Sequence, residues 1–127
     1  MTRRKKKRVY VSFDYDRDKA LKGFIRGQAR NPETPFQIVD WSLKEAAPER
    51  NWRKKARERI RHSDLVMVVA GPKTRSAPGV RDEVAMAREE GISVAQIIGY
   101  RKKKCPRVAN AGRRYRWTYE NLKKLLR

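Results

Sequence analysis

One cysteine and one histidine stand in the 127 residues of this chain, and their scarcity removes several chemistries. Cys105 has no second thiol for an internal disulfide and no Cys or His neighbour at metal-ligand spacing. His62 excludes a His-rich metal centre; it falls at the end of a basic helical stretch, where a helix C-terminus favours a cation. No apolar run approaches bilayer length, and the basic N-terminus lacks an apolar segment behind it. A soluble, cytoplasmic protein with no membrane contact is expected. Zinc-finger spacing, an RRM-type aromatic signature and strands of alternating basic and aromatic residues are all missing. So are a Walker A loop and the GxGxxG fingerprint in the first turn, which disfavours Rossmann-type dinucleotide binding.

What is abundant is positive charge. Lys and Arg number 34 against 14 Asp and Glu, a net charge of +20. Such an excess attracts polyanions, whether nucleic acid, anionic membrane or nucleotide. Much of it lies in separable segments: Arg3 to Arg8, Arg101 to Lys104, then Arg113, Arg114 and Arg116. Residues 1–8 are expected to form a disordered basic arm that binds polyanions non-specifically. Residues 9–127 then make a single domain, a length at which one core can form. Three Trp, five Tyr and three Phe supply that core, so 38% charged residues do not make the chain disordered.

Strand and helix patterns alternate. Val9 to Phe13 is a short β-rich run closed by Asp14, Tyr15 and Asp16. Leu21, Phe24, Ile25 and Gln28 then follow helical spacing until Asn31 to Pro35 breaks it. Phe36 to Asp40 reads as a second strand and Trp41 to Ala47 as a loop, with Pro48 in the first turn of the next helix. There Trp52, Ala56 and Ile60 form the inward stripe. Asp64 to Ala70 is almost continuously apolar, as a strand covered on both faces should be. Val80, Val84 and Ala87 mark the buried side of a helix capped by Gly91. Ile92 to Ile98 is a fourth strand, Tyr115 to Trp117 a short edge strand, and Thr118 caps a last helix carrying Leu122, Leu125 and Leu126 inward. Right-handed crossovers would give an α/β fold of three layers, flavodoxin-like. Its parallel sheet would have four to five strands, most simply in the order 2-1-3-4-5, with helices on both faces.

In an open parallel sheet, ligands bind in the crevice outside the carboxyl ends of the strands. Glu83 stands near the start of the helix after the most apolar strand, where it can lean into that crevice; it can equally serve as a helix former complementing the helix dipole. A receiver domain of the same fold class would want a phosphoacceptor Asp at the end of the third strand, where Ala70 and Gly71 stand.

The chain resembles TIR-like domains, specifically the bacterial and archaeal group that includes the TIR-like protein of the Thoeris anti-phage system. The matching residues begin with Val11 to Tyr15, Gly27 to Ala29, Pro35, Phe36, Asp40, Ser42 to Glu45 and Trp52. They continue with Arg61, Ser63, Asp64, Gly71, Thr74, Val80, Glu83, Ala87, Gly99, Tyr100 and Tyr115 to Leu122. The resemblance implies the flavodoxin-like TIR fold. It also implies a signalling or defence domain that binds NAD and cleaves the nicotinamide–ribose bond or cyclises the product, with Glu83 at the position of the essential glutamate. NAD is then a substrate, and no tightly bound cofactor is expected. Other TIR-like domains act as assembly modules, which makes self-association or an effector partner the second reading. A basic nucleic-acid-associated protein is a third.

Loss of neutral nicotinamide leaves a ribosyl cation, which one carboxylate can stabilise, whereas an ordinary glycosidase wants two. Asp82 is a poor second member, because adjacent helical residues do not face each other. Other crevice candidates come from loops at the same edge. Phe13 could stack on a base or nicotinamide ring, and Ser12 and Asp14 stand beside it, with Asp14 able to accept ribose hydroxyls; a core Phe and a helix cap are the alternatives. Asp40 and Ser42 could bind polar ligand groups or close an Asx-type turn. Gly71 and Thr74, beside Lys73 and Arg75, could hold a pyrophosphate. Trp52, Tyr100 and Trp117 read as packing residues.

Overall fold

The computed structural model describes residues 7–14, 36–41, 49–100, 103–116, 118, 120–121 and 124. Five strands form one sheet in the order β2-β1-β3-β4-β5, every neighbouring pair parallel. They are β1 (Lys7–Ser12), β2 (Phe36–Trp41), β3 (Leu65–Ala70), β4 (Ser93–Ile98) and β5 (Arg114–Arg116). Two helices are described over most of their length, α1 (Glu49–Arg61) and α2 (Pro78–Glu89). This is the flavodoxin-like order expected from the alternation of elements.

Some boundaries differ from the expected ones. β1 starts at Lys7, so Lys7 and Arg8 belong to the sheet and not to a basic arm. Ladder bonds use backbone groups, and charge at a strand's entry does not bar them. Arg8 donates its N–H to the Asp64 carboxylate at 2.7 Å and accepts the Asp64 N–H at 2.8 Å. Trp41 belongs to β2, opposite Val11, instead of opening a loop. The register slips between Val9 and Tyr10, which face Ile38 and Asp40, leaving Val39 as an extra residue. β5 begins one residue earlier than expected, at Arg114. The helix expected around Leu21 to Gln28, the basic arm through Lys6, Pro48, Trp117 and the terminal leucines lie outside the described residues. Thr118 does cap: its hydroxyl accepts the Asn121 N–H at 3.1 Å.

Alternation along the strands splits the core. Tyr10, Val66, Val68 and Ala70 join one cluster with Trp52, Ala56 and Ile60 of α1 and Val80, Val84 and Ala87 of α2. Each large side chain buried there contributes roughly 1.5–3 kcal/mol. Val9, Val11, Met67, Val69 and Ile97 are the alternate positions on β1, β3 and β4, and all are fully buried. The sheet is therefore covered on both faces, although α1 and α2 share one of them.

The two helices are also tied by charge. Arg57 reaches Glu89 at 2.6 Å and Glu90 at 3.1 Å, Arg61 reaches Glu90 at 3.0 Å, and Arg53 reaches Asp82 at 3.0 Å. The Arg61 and Arg57 guanidinium groups hold the Glu90 carboxyl well below the usual range, at about 2. At the end of α2, Gly91 takes φ +70, the Ile92 N–H returns to the Ala87 carbonyl at 2.8 Å and the Gly91 N–H to Arg88 at 3.2 Å. That is a Schellman cap, with Ile92 packed on the core.

Between β4 and β5 the pattern of helical crossovers lapses, for residues 103–113 contain no helix. Cys105, Val108 and Ala111 nevertheless pack into the helix-side core. Irregular backbone in a core needs partners for its polar groups, and Gln96 of β4, itself fully buried, supplies them. Its amide donates to the carbonyls of Val108 at 3.1 Å and Gly112 at 2.7 Å, and its oxygen accepts the Val108 N–H at 2.9 Å.

Candidate active site

Parallel strands bring their carboxyl ends to one edge of the sheet, and the candidate residues are carried there by different elements. The central one is Glu83, on the second turn of α2. Pro78 opens this helix at a position where its missing N–H costs nothing. Val80, Val84 and Ala87 turn one stripe toward the sheet. Glu83 lies within that stripe, one residue before Val84, so its carboxylate is carried inward and is only 1% exposed.

The hydroxyls that meet it come from β1. Residues two apart on a strand share a face, which sets Tyr10 and Ser12 side by side toward α2. Ser12 donates its hydroxyl to Glu83 Oε1 at 2.8 Å, and Tyr10 donates its phenol O–H to Oε2. Both donors are fully buried. Each carboxylate oxygen thus accepts a hydroxyl from β1. Ser12 is the last residue of β1, so the cluster lies at the carboxyl edge of the sheet.

Phe13 and Asp14 follow immediately, at 2% and 8% exposure. Asp40 lies in β2 in register with Tyr10, one strand over from the Glu83 partners. Ser42 lies outside the described residues. The β3–α2 connection is closed on itself: the Gly71 N–H donates to Thr74 Oγ1 at 2.6 Å, and the Ala77 N–H to the Thr74 carbonyl at 3.0 Å. The Gly71 N–H is therefore engaged within the turn. Exposed Lys73 and Arg75 are the cations this turn presents. Asp82, adjacent to Glu83, pairs instead with Arg53 of α1 and lines a groove of about 750 Å³ on the outer side of α2. It is no second carboxylate for Glu83. Among the described residues, no group of His, Cys, Asp and Glu could hold a metal ion, and no helix is long and apolar enough to cross a membrane.

Sequence reasoning singled out Ser12 but missed Tyr10, the other hydroxyl bonded to Glu83. A signal existed: Tyr10 alternates with Ser12, and a tyrosine in the middle of a central strand needs a partner for its hydroxyl. Trp52 is a packing residue at 3% exposure, and Tyr100 packs against the core with Lys103 Nζ 4.5 Å from its ring centroid.

Comparison with known proteins adds to this geometry. The family model described as "Thoeris protein ThsB, TIR-like domain" matches residues 10–104. No curated protein matches the chain. Among solved structures, the Clostridium botulinum CMP N-glycosidase BcmB is similar, with a TM-score of 0.58 and 17% identity over 94% of this chain and 97% of that one. At that identity the likeness speaks for the fold.

Proposed function

Given that the chain belongs to the TIR-like domain family of the Thoeris protein ThsB, we propose that it is a nucleotide N-glycosidase of anti-phage defence, with NAD as substrate and Glu83 as the catalytic carboxylate. One observation carries the reading: a buried glutamate stands at the carboxyl edge of the sheet with a hydroxyl donor on each oxygen. The solved relative of this fold that acts on CMP supports a break at an N-ribosyl bond.

The chemistry suits a single carboxylate. When the bond between C1′ and the nicotinamide nitrogen breaks, its electron pair stays on nitrogen and the pyridinium leaves as a neutral base. No acid is required. The ribosyl fragment becomes an oxocarbenium-like cation, which the Glu83 charge stabilises from a desolvated position where Coulomb interactions are strong. The same negative charge attracts the ribose hydroxyls as donors and orients the ring. Water, or a nitrogen of the adenine in the same molecule, then adds to C1′ and releases a proton. A pyrimidine nucleotide would need its base protonated as it leaves, so NAD suits this site better than CMP. In this reading Phe13 and Asp14, which follow Ser12, and Asp40 and Ser42 are further candidates for the base and ribose, and Lys73 and Arg75, in the turn that Gly71 and Thr74 close, are candidates for the pyrophosphate.

The test is turnover of NAD by wild type and Glu83→Gln, alone and with extracts of phage-infected cells as activator, with products resolved by mass. Glu83→Gln keeps the side chain's size and removes its charge. A loss of about a hundredfold or more in rate is expected, with thermal stability changed little. Equal turnover would exclude Glu83. Absence of turnover in wild type under every trigger, with self-association or partner binding intact, would favour an assembly module.

A further inference from the structure

We propose that Tyr10 is a positioning residue for Glu83: its phenol fixes the carboxylate and favours its charged form over the protonated one. This rests on the glycosidase reading above.

Three observations carry it. First, Tyr10 lies in β1 between β2 and β3, in register with Asp40 and Val66, and is 0% exposed. Its ring is gripped by the helix-side core, so the position of its oxygen is set by packing. Second, that oxygen donates to Glu83 Oε2 while Ser12 serves Oε1. The two bonds orient the carboxylate plane from the sheet side. Third, an ionised carboxylate is acceptor-only, so a phenol O–H donated to it favours the charged form.

Tyr10 differs from Ser12 in what it can touch. Ser12 ends β1 at the ligand edge and is itself a candidate ligand contact. Tyr10 lies two residues deeper, and its contribution to the rate passes through Glu83. Removing the phenol oxygen should leave nucleotide binding unaltered and impair the chemical step. The carboxylate would lose a charge-assisted bond, take up protons more readily, and sample orientations less suited to the ribosyl cation.

The experiment compares full-length wild type, Tyr10→Phe and Glu83→Gln in NAD turnover across pH, with unfolding midpoints measured in parallel. Tyr10→Phe keeps the ring and its packing. Expected are a fall in kcat of about ten- to hundredfold, a KM within about twofold of wild type, and an acidic limb of the kcat/KM profile moved to higher pH. A second variant carries 3-fluorotyrosine at position 10, which preserves the fold and makes the phenol a stronger donor. Its acidic limb should move to lower pH.

Wild-type kcat and an unmoved acidic limb in Tyr10→Phe, with Glu83→Gln inactive, would overturn the positioning role and leave the glycosidase reading standing. A raised KM with unchanged kcat would also overturn it. Should wild type, Tyr10→Phe and Glu83→Gln all release no product, both readings fall together.

Discussion

Replacing Gln96 by Leu should unfasten the irregular segment between β4 and β5. Leu has similar volume and packs in an apolar strand, so the loss is confined to hydrogen bonds. There are three: two donated to the carbonyls of Val108 and Gly112, and one accepted from the Val108 N–H. Val108 is fully buried, so its N–H is left without water, whereas the Gly112 carbonyl is half-buried and can be rehydrated. An orphaned buried group costs about 1–3 kcal/mol. Taking Val108 at full cost, Gly112 at a fraction, and crediting Leu with better transfer into the core gives a net loss of about 2–4 kcal/mol. That is a large share of the roughly 5–15 kcal/mol that holds a typical domain. Urea unfolding followed by tryptophan fluorescence would read it as a lower midpoint at unchanged slope. Gln96→Glu sharpens the test. Its carboxylate still accepts the Val108 N–H but sets charged oxygens against two carbonyls, so at neutral pH it should be less stable than the Leu variant. Protonation restores a donor, which raises the folded-state carboxyl and returns stability as pH falls. A cost below about 1 kcal/mol for Leu, or a Glu variant insensitive to acid, would refute the clamp.

Other outcomes follow from particular contacts. Glu90 has its carboxyl lowered to about 2 by Arg61 and Arg57, so its contribution is complete above the ordinary carboxylate range and is lost as pH falls from about 4.5 toward 2. Glu90→Gln should flatten that acid loss in unfolding midpoints measured against pH, and added salt should shrink the difference. Gly91→Ala places a Cβ at φ +70 with nothing within 4 Å, whereas Gly112→Ala at φ +78 meets the Val94 carbonyl oxygen at 2.7 Å. Thermal unfolding should show about 1–2 kcal/mol for the first, the strain of the left-handed region alone, and clearly more for the second. Glu83→Gln should separate rate from stability, and Tyr10→Phe should separate kcat from KM, as set out above.

Local chemistry was enough to announce most of the fold. Residues 65–70 read as a doubly covered strand, because every side chain there is apolar and the run is short. The stripe of Trp52, Ala56 and Ile60 reads as an inward face and Gly91 as a helix end, because such patterns follow from periodicity and φ/ψ sterics within a few residues. Alternation of these elements then limited the topology to a parallel sheet, and the order 2-1-3-4-5 is what right-handed crossovers most simply produce. Glu83 was legible as a candidate for the same reason, since its place after β3 puts it near the ligand edge of any such sheet. Its environment was not. The bonds from Tyr10 and Ser12 to Glu83 join residues 73 and 71 positions apart, and no local rule says which strand α2 will lie against. Gln96 is the same case. In sequence it is a polar residue interrupting an apolar strand, and its role exists only because residues 103–113 fill a crossover without a helix and bring bare carbonyls to it. Periodicity reports which face of an element is buried; which polar groups meet inside is decided when separate elements pack, because a buried hydroxyl or amide is satisfied by whatever the fold brings within about 3 Å.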